Sequence, residues 1–284
     1  MTESQPILST WTASDRYPIH LATWPTERKP RARVVILHGV QSHGGWYHNL
    51  GRTLAEAGYE THFPDRRGSG ANRIERGHTP SMGRLLSDLA EFLVELKATE
   101  PRVPLALAGI SWGGKLAVIT AGRRPELVDA LALICPGLHP RVDVTRSERL
   151  RIALAYFVQP RKTFPIPLSD PALFTSSHAG QEFIANDPLG LRAATASMLA
   201  ASSFIDRAVR RIPSKVHQPS LMMLAGQDRI VDNEKTLAFF EKLASKNREV
   251  ITYPEGHHTF EFDADPSLYA RDLIAWLDRS LPSS

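Results

Sequence analysis

Two periods of apolar and polar positions run along the chain. Residues 7–12 and 17–24 alternate at period two, with Ser14-Asp15 between them, and predict an antiparallel hairpin at a sheet edge. Residues 34–37 form a continuous apolar run, the mark of a strand buried on both faces. Residues 46–57 have helical spacing and stop at Gly58, and residues 59–63 read as a strand closed by Pro64. The unit then repeats. Leu85, Leu86, Leu89, Phe92, Leu93 and Leu96 share one face of a helix predicted over 82–97. A strand over 104–110, a helix over 113–122 and a strand over 127–135 follow, the last stopped by Pro136-Gly137. Later come a strand over 220–224, a helix over 234–243, a strand over 249–253 and a closing helix over 266–281. Alternating β and α units predict an α/β fold, a mostly parallel central sheet flanked by helices.

The alternation breaks between 138 and 214. Helical segments are expected over 148–158 and 191–205, with a loop between them that contains Pro160, Pro165, Pro167 and Pro171, and no strand-like run stands out. The expected organisation is therefore a core of residues 1–137 and 215–284 with a helical cap insertion at 138–214. In the cap, Leu150, Ile152, Leu154, Tyr156, Phe157, Val158, Met198, Leu199 and Phe204 would form either an apolar roof for an acyl chain or the packing that seats the cap on the sheet.

Composition narrows the class. The chain has 284 residues, 42% hydrophobic and 23% charged, which is enough apolar side chain for a large core. No run approaches the length of a membrane-spanning helix, so no stable membrane insertion is expected. Residues 1–6 lack a basic start followed by an apolar block, so no secretory signal is expected. The lone cysteine, Cys135, excludes an intrachain disulfide and a cysteine metal cage, and it fits a cytoplasmic location. The net charge is +4, with basic clusters at Arg207, Arg210 and Arg211 and at Arg66, Arg67, Arg73 and Arg76. Acidic residues are scattered among the rest. This reads as a solvated basic surface rather than the stripe of a nucleic-acid binder, and no nucleic-acid partner is expected.

The candidate chemistry lies at strand ends. Gly109-Ile110-Ser111-Trp112-Gly113 matches G-x-S-x-G, after a predicted strand and before a predicted helix. A sharp turn there strains the serine backbone and exposes its hydroxyl, with small residues needed at Gly109 and Gly113. A serine hydroxyl needs a base, and the base needs an orienting carboxylate. Asp228 follows the strand over 220–224, and His257 and His258 follow the strand over 249–253, so the order Ser, Asp, His is met with two candidate imidazoles. Asp232 is the competing carboxylate and better suits a helix cap. Oxyanion donors are expected from the N–H of Trp112 and from the loop His38-Gly39-Val40-Gln41, Val40 ahead of Gln41. His38 and His43 lack a carboxylate at metal-ligand spacing, so neither a metal nor a cofactor is expected.

These residues carry a resemblance. His38-Gly39, Tyr47, residues 54–58 and Asp65-Arg66-Arg67-Gly68-Ser69-Gly70, with the elbow, Gly226 to Asp228 and Gly256 to His258, resemble the monoacylglycerol lipase and lysophospholipase branch of the α/β-hydrolases, which includes enzymes classed with serine aminopeptidases. The resemblance implies an eight-stranded sheet, a helical cap after the sixth strand, His258 as the base, and Val40 and Trp112 as oxyanion donors. It also implies a serine hydrolase that cleaves small carboxylic esters, monoacylglycerol-like or lysophospholipid-like, through an acyl-enzyme at Ser111, His258 and Asp228. The sequence departs from the family's H-G-x-G-E-H at His38-Gly39-Val40-Gln41-Ser42-His43, and from its G-H-G at Gly68-Ser69-Gly70. Three alternatives accompany this reading. One is an amide or peptide hydrolase that recognises an amine through Glu148, Asp170, Glu182 or Asp187. The second is a non-catalytic small-molecule receptor on the same fold. The third has the basic, apolar segment 149–158 docking on a membrane surface.

Overall fold

A computed structural model describes residues 5–281, so most of the N-terminal segment read for a signal lies outside the described residues. The chain opens with β1 (Ile7–Thr12) and β2 (Pro18–Trp24), an antiparallel hairpin as the alternation predicts. It continues through β3 (Ala32–Leu37), α1 (His48–Glu56), β4 (Tyr59–Pro64), α2 (Met82–Thr99), β5 (Leu105–Ile110), α3 (Gly113–Arg123) and β6 (Ala130–Ile134). Next come α4 (Arg146–Val158), β7 (Thr163–Pro165), α5 (His178–Asn186), β8 (Ala193–Thr195) and α6 (Ala196–Val209). The chain closes with β9 (Ser220–Ala225), α7 (Asn233–Phe240), β10 (Arg248–Tyr253) and α8 (Leu268–Ser280).

Eight strands form one sheet in the order β1-β2-β4-β3-β5-β6-β9-β10. β1 and β2 run antiparallel at one edge, and every pairing from β4 to β10 is parallel. β3, β5, β6 and β9 are buried along their whole length, as strands with helices on both faces must be. β10, at the far edge, alternates exposed with half-buried positions. The chain runs from β3 to β4 on one side and returns to β5 on the other. The crevice between β3 and β5 is thus the switch point where such sheets bind ligands beyond the carboxyl ends of their strands.

Between β6 and β9 the elements α4 to α6 stay off this sheet, and β7 and β8 pair as a separate antiparallel ribbon. Several sequence expectations change here. The helix expected over 191–205 begins only at Ala196, because Ala193–Thr195 pairs with Thr163–Pro165 and the Thr195 hydroxyl accepts the Met198 N–H at the helix start. The proline-rich loop contains both β7 and α5, the latter capped by Ser177. In the core, the strand expected over 127–135 shortens to Ala130–Ile134. A 3₁₀ turn at Pro125–Leu127 precedes it, and Asp129 accepts the Leu105 N–H at 2.7 Å. The helix expected over 46–57 starts at His48 after a 3₁₀ turn at Gly44–Trp46.

The residues expected to form the cap divide by face. Ile152 and Ala155 pack with Phe164 and Ala196 in a small core of their own, and Met198 is buried. Leu150, Leu154, Phe157 and Val158, spaced along the opposite side of α4, are 73%, 66%, 82% and 67% exposed. Most of the expected roof on this helix therefore faces outward. In the basic cluster at 66–76, Arg73 and Arg76 are exposed as expected, whereas Arg66 and Arg67 differ from a solvated surface. Arg67 is buried against Asp88 and Asp15, and Arg66 is half-buried behind the β3 loop.

Glu261, just after β10, ties α1 to α8 by accepting the Asn49 N–H at 2.6 Å and the Tyr269 hydroxyl at 2.5 Å. Burial raises its carboxyl to about 7, although these donors favour the charged form. Its folded value lies above its unfolded value near 4.5, so the contribution is full below that pH and is lost as pH rises through about 7. Chemical denaturation should therefore show wild-type stability falling relative to Glu261→Gln between about pH 4.5 and 7, by on the order of 2–3 kcal/mol. A constant difference across that range would refute the assignment.

Candidate active site

Ser111 follows β5 directly and stands at φ 51, the left-handed region that a serine rarely adopts. Three backbone bonds hold it there. Its N–H donates to Ile134 O at 3.0 Å, and its carbonyl accepts from Gly114 N at 3.0 Å and Gly137 N at 2.8 Å. The glycines of the motif are steric requirements. A Cβ on Gly113 would stand 2.3 Å from Leu37 O, and one on Gly109 would stand 2.6 Å from Gly114 Cα. The turn thus lifts the Ser111 hydroxyl above the start of α3, whose free N–H groups favour negative charge.

The hydroxyl meets His258. Ser111 Oγ lies 2.9 Å from His258 Nε2, and His258 Nδ1 lies 2.8 Å from Asp228 Oδ2. The carboxylate that fixes the ring is fixed in turn, because Asp228 Oδ1 accepts the N–H groups of Ile230 and Val231, both at 2.8 Å. Burial alone would raise the Asp228 carboxyl. The imidazole and the two N–H donors outweigh it and hold the group below its ordinary value. Asp228 is therefore ionised at neutral pH, a charge placed against the His258 ring. Phe174, from the segment between β7 and α5, sets its ring edge-on to His258 with centroids 6.0 Å apart.

His257 goes elsewhere. Its N–H donates to Asp263 at 3.1 Å and its ring nitrogen lies 3.2 Å from the same carboxylate. Asp232 caps α7 by accepting the Lys235 N–H. Of the oxyanion candidates, the N–H groups of Val40 and Trp112 engage no acceptor among the described residues. Gly39 packs on the serine, since a Cβ there would stand 3.3 Å from Ser111 Cβ and 3.6 Å from Oγ. Gln41 accepts the Leu191 N–H with its carbonyl, and its side chain is buried with neither end of the amide partnered among the described residues. Two free N–H groups flanking an activated hydroxyl are what a tetrahedral oxyanion requires.

Other parts of the site were not apparent in the sequence. His38 Nε2 accepts the Arg66 N–H at 2.9 Å, so its proton sits on Nδ1 and is donated to Gly39 O at 2.8 Å. Burial, with the Arg66 charge beside it, lowers the His38 imidazole to about 3, so the ring is a neutral brace. Asp187 joins the stretch between β6 and β9 to the loop after β3. It accepts from Trp46 Nε1 at 2.7 Å and His43 Nε2 at 3.1 Å, and although burial pushes the other way, these donors and the Leu189 N–H hold its carboxyl to about 2. The Asp187-Pro188 turn was the one local signal for this anchor. Among the described residues, Cys135, Asp228 and His258 form the one set of potential metal donors, within 4.8 Å of one another. The imidazole and carboxylate already bond each other. Burial and then the Asp228 charge push the Cys135 thiol well above its usual range, so it stays a protonated, poor ligand.

This geometry prepares Ser111 for attack on an electrophile with His258 as base. A fluorophosphonate probe should therefore label Ser111, with the rate falling by about 10³-fold or more in His258→Ala and by less than about fivefold in His257→Ala. Equal losses in the two variants would contradict the separation described above.

Comparison with known proteins places this geometry among relatives. The sequence profile of the family described as "Serine aminopeptidase, S33" matches residues 28–265. The chain is 25% identical over 251 residues to a monoglyceride lipase homolog of Monkeypox virus, covering 87% of this chain and 88% of that protein. It is 22% identical over 264 residues to a monoacylglycerol lipase of Mycolicibacterium smegmatis, covering 89% and 90%. A solved soluble variant of monoglyceride lipase from Saccharomyces cerevisiae, in complex with a substrate analog, superposes with a TM-score of 0.86 at 22% identity over 99% of this chain and 97% of that one.

Proposed function

The chain belongs to the serine aminopeptidase S33 family of the α/β-hydrolases, and from that premise we propose that it hydrolyses small carboxylic esters of the monoacylglycerol class through an acyl-enzyme. Ser111 is the nucleophile. Its oxygen attacks the acyl carbonyl, its proton passes to His258 Nε2, and Asp228 holds the ring and stabilises the imidazolium. The tetrahedral oxyanion is met by the N–H groups of Val40 and Trp112. Collapse expels the alcohol, which takes the proton from His258. Water then enters and attacks the acyl carbonyl as His258 takes its proton; the second tetrahedral intermediate collapses, the bond to Ser111 Oγ breaks, His258 returns the proton to Oγ, and the acid leaves. The observation that carries this reading is the hydrogen-bonded path from Ser111 Oγ through His258 to Asp228, 2.9 and 2.8 Å, at a backbone turn that exposes the hydroxyl.

Residues 138–214 act in this reading as the cap that covers the site, inserted into a core of 1–137 and 215–284. Three of the four carboxylates considered for an amine-bearing substrate have other engagements, and the fourth is exposed on α5. Asp187 is held by His43 and Trp46, Glu148 closes a capping box with Thr145, Asp170 accepts the Ala172 N–H, and Glu182 lies on the exposed side of α5. An ester, which needs no amine contact, fits these assignments better than a peptide. Ser111→Ala should lower turnover of monoacylglycerol and of p-nitrophenyl butyrate by about 10³- to 10⁶-fold, with an aminoacyl anilide a poor substrate of the wild type. Unchanged ester turnover in the variant, or anilide turnover above ester turnover, would overturn the proposal.

The outward apolar row on α4 gives the cap a second property. Leu150, Leu154, Phe157 and Val158 form one exposed stripe, with Arg149 and Arg151 exposed beside it. No helix among the described residues is long and apolar enough to cross a membrane. The stripe suits shallow docking on an aggregated lipid substrate, with basic side chains at the headgroups. Leu154→Ser with Phe157→Ser should reduce co-sedimentation with anionic liposomes and turnover of emulsified long-chain monoacylglycerol, while soluble p-nitrophenyl acetate turns over as before. Equal sedimentation of variant and wild type would exclude the docking role.

A further inference from the structure

Asp65, Arg66 and Arg67 follow β4 consecutively and have different fates. Asp65 is spent on His20 and on the N–H groups of Gly44 and Ala71. Arg67 forms a two-pronged pair with Asp88, both contacts 2.8 Å, and a further bond to Asp15 at 2.9 Å. Arg66, between them, makes no ion pair among the described residues. Its Nη1 donates to Gly39 O at 3.1 Å and its Nη2 to Val40 O at 3.0 Å. The guanidinium lies over the Trp112 ring, 4.7 Å from its centroid. Behind it lies an apolar hollow lined by Leu37, Leu85, Leu89 and Leu116, where its Nε finds no partner.

These contacts converge on two peptide groups. A trans peptide is planar, with its C=O and N–H pointing opposite ways. Gly39 C=O and Val40 N–H belong to one such plane. Arg66 and His38 both grip its oxygen, so the N–H on the far side is fixed in direction and polarised by the charge behind it. A rigid fork that takes two successive carbonyls also fixes the backbone at Val40, which a flexible ammonium cannot do. The same guanidinium stacks on the side chain whose own backbone N–H is the second donor. Arg66 N–H, bonded to His38 Nε2, closes the brace.

We infer that Arg66 is a positioning residue for the oxyanion hole, holding the Val40 and Trp112 donors from behind with a positive charge that no carboxylate among the described residues contacts; the inference rests on the reading of those two N–H groups as the donors. As negative charge develops on the substrate oxygen, the fixed donors need no reorganisation and the nearby cation favours the charged state. Binding of the uncharged ester gains little from either effect. The role therefore belongs to kcat rather than KM.

The test compares Arg66→Met and Arg66→Lys with wild type and with Ser111→Ala on p-nitrophenyl butyrate. A trifluoromethyl ketone serves as a second probe, because its adduct with Ser111 places an oxyanion in the hole. Arg66→Met should lower kcat by about 10²-fold, the loss typical of one oxyanion donor, with KM within about threefold. Trifluoromethyl ketone affinity should fall by the same factor as kcat/KM, and Arg66→Lys should recover part of the loss. A folded Arg66→Met with kcat within about threefold of wild type, or with its loss confined to KM, overturns the inference. If circular dichroism shows Arg66→Met unfolded, Arg66→Lys decides: reduced kcat at unchanged KM supports the role, and wild-type kcat refutes it. Undiminished turnover in Ser111→Ala would defeat the ester-hydrolase reading itself, whereas a Ser111→Ala reduced as expected beside a fully active Arg66 variant would defeat only this inference.

Discussion

The backbone at Ser111 is held in a conformation that its side chain disfavours, and the site is built around that strain. Left-handed φ at a non-glycine residue costs on the order of 1 kcal/mol or more and persists only where the surroundings impose it. Here the imposition comes from three segments at once: Ile134 at the end of β6, Gly114 in the first turn of α3, and Gly137 in the loop beyond β6. The parallel sheet sets those segments side by side, so the exposed hydroxyl is a property of the sheet rather than of the five-residue motif. His258 and Asp228 reach it because β9 and β10 end at the same edge of the sheet.

Around that hydroxyl the structure distributes charge with little redundancy. Asp228 is ionised and shared between an imidazole and two backbone donors. His38 is neutral and spends both ring nitrogens on bracing the β3 loop. Cys135, close to both Asp228 and His258, stays a thiol because it is buried beside a carboxylate. Arg66 remains as a cation with no ion pair among the described residues, held on the Gly39 and Val40 carbonyls of the loop. Asp228, His38, Cys135 and Arg66 thus each keep one protonation state at neutral pH.

The elements between β6 and β9 are attached to this machinery rather than laid loosely over it. Asp187 reaches His43 and Trp46, Leu191 N–H donates to Gln41 O, and Trp112 Nε1 donates to Ser202 Oγ at 2.9 Å. Gln41 is the neighbour of Val40, His43 lies three residues beyond it, and the last contact ends on Trp112 itself. Movement of this region therefore bears on the residues expected to bind the oxyanion. Phe174, edge-on to His258, extends the connection to the base.

The sequence by itself determined the alternation of strands and helices, the elbow at Ser111, the Ser, Asp, His order at strand ends and the capping role of Asp232. All of these depend on local periodicity or on residues a few positions apart. From the residues alone it offered two imidazoles, at 257 and 258, because adjacent residues in a loop share the same neighbours in sequence and differ chiefly in where the turn aims them; the resemblance favoured His258. It did not reveal β7, β8 or α5, since three-residue strands carry too few positions to show a period. It assigned Arg66 and Arg67 to a solvated surface because charge alone signals water. Only the tertiary structure supplied Asp88, and the carbonyls of Gly39 and Val40, 27 and 26 residues away, that take those charges inside. The direction of the α4 apolar row was decided in the same way: periodicity gives a helix two faces, and only packing against Phe164 and Ala196 determines which one is turned inward.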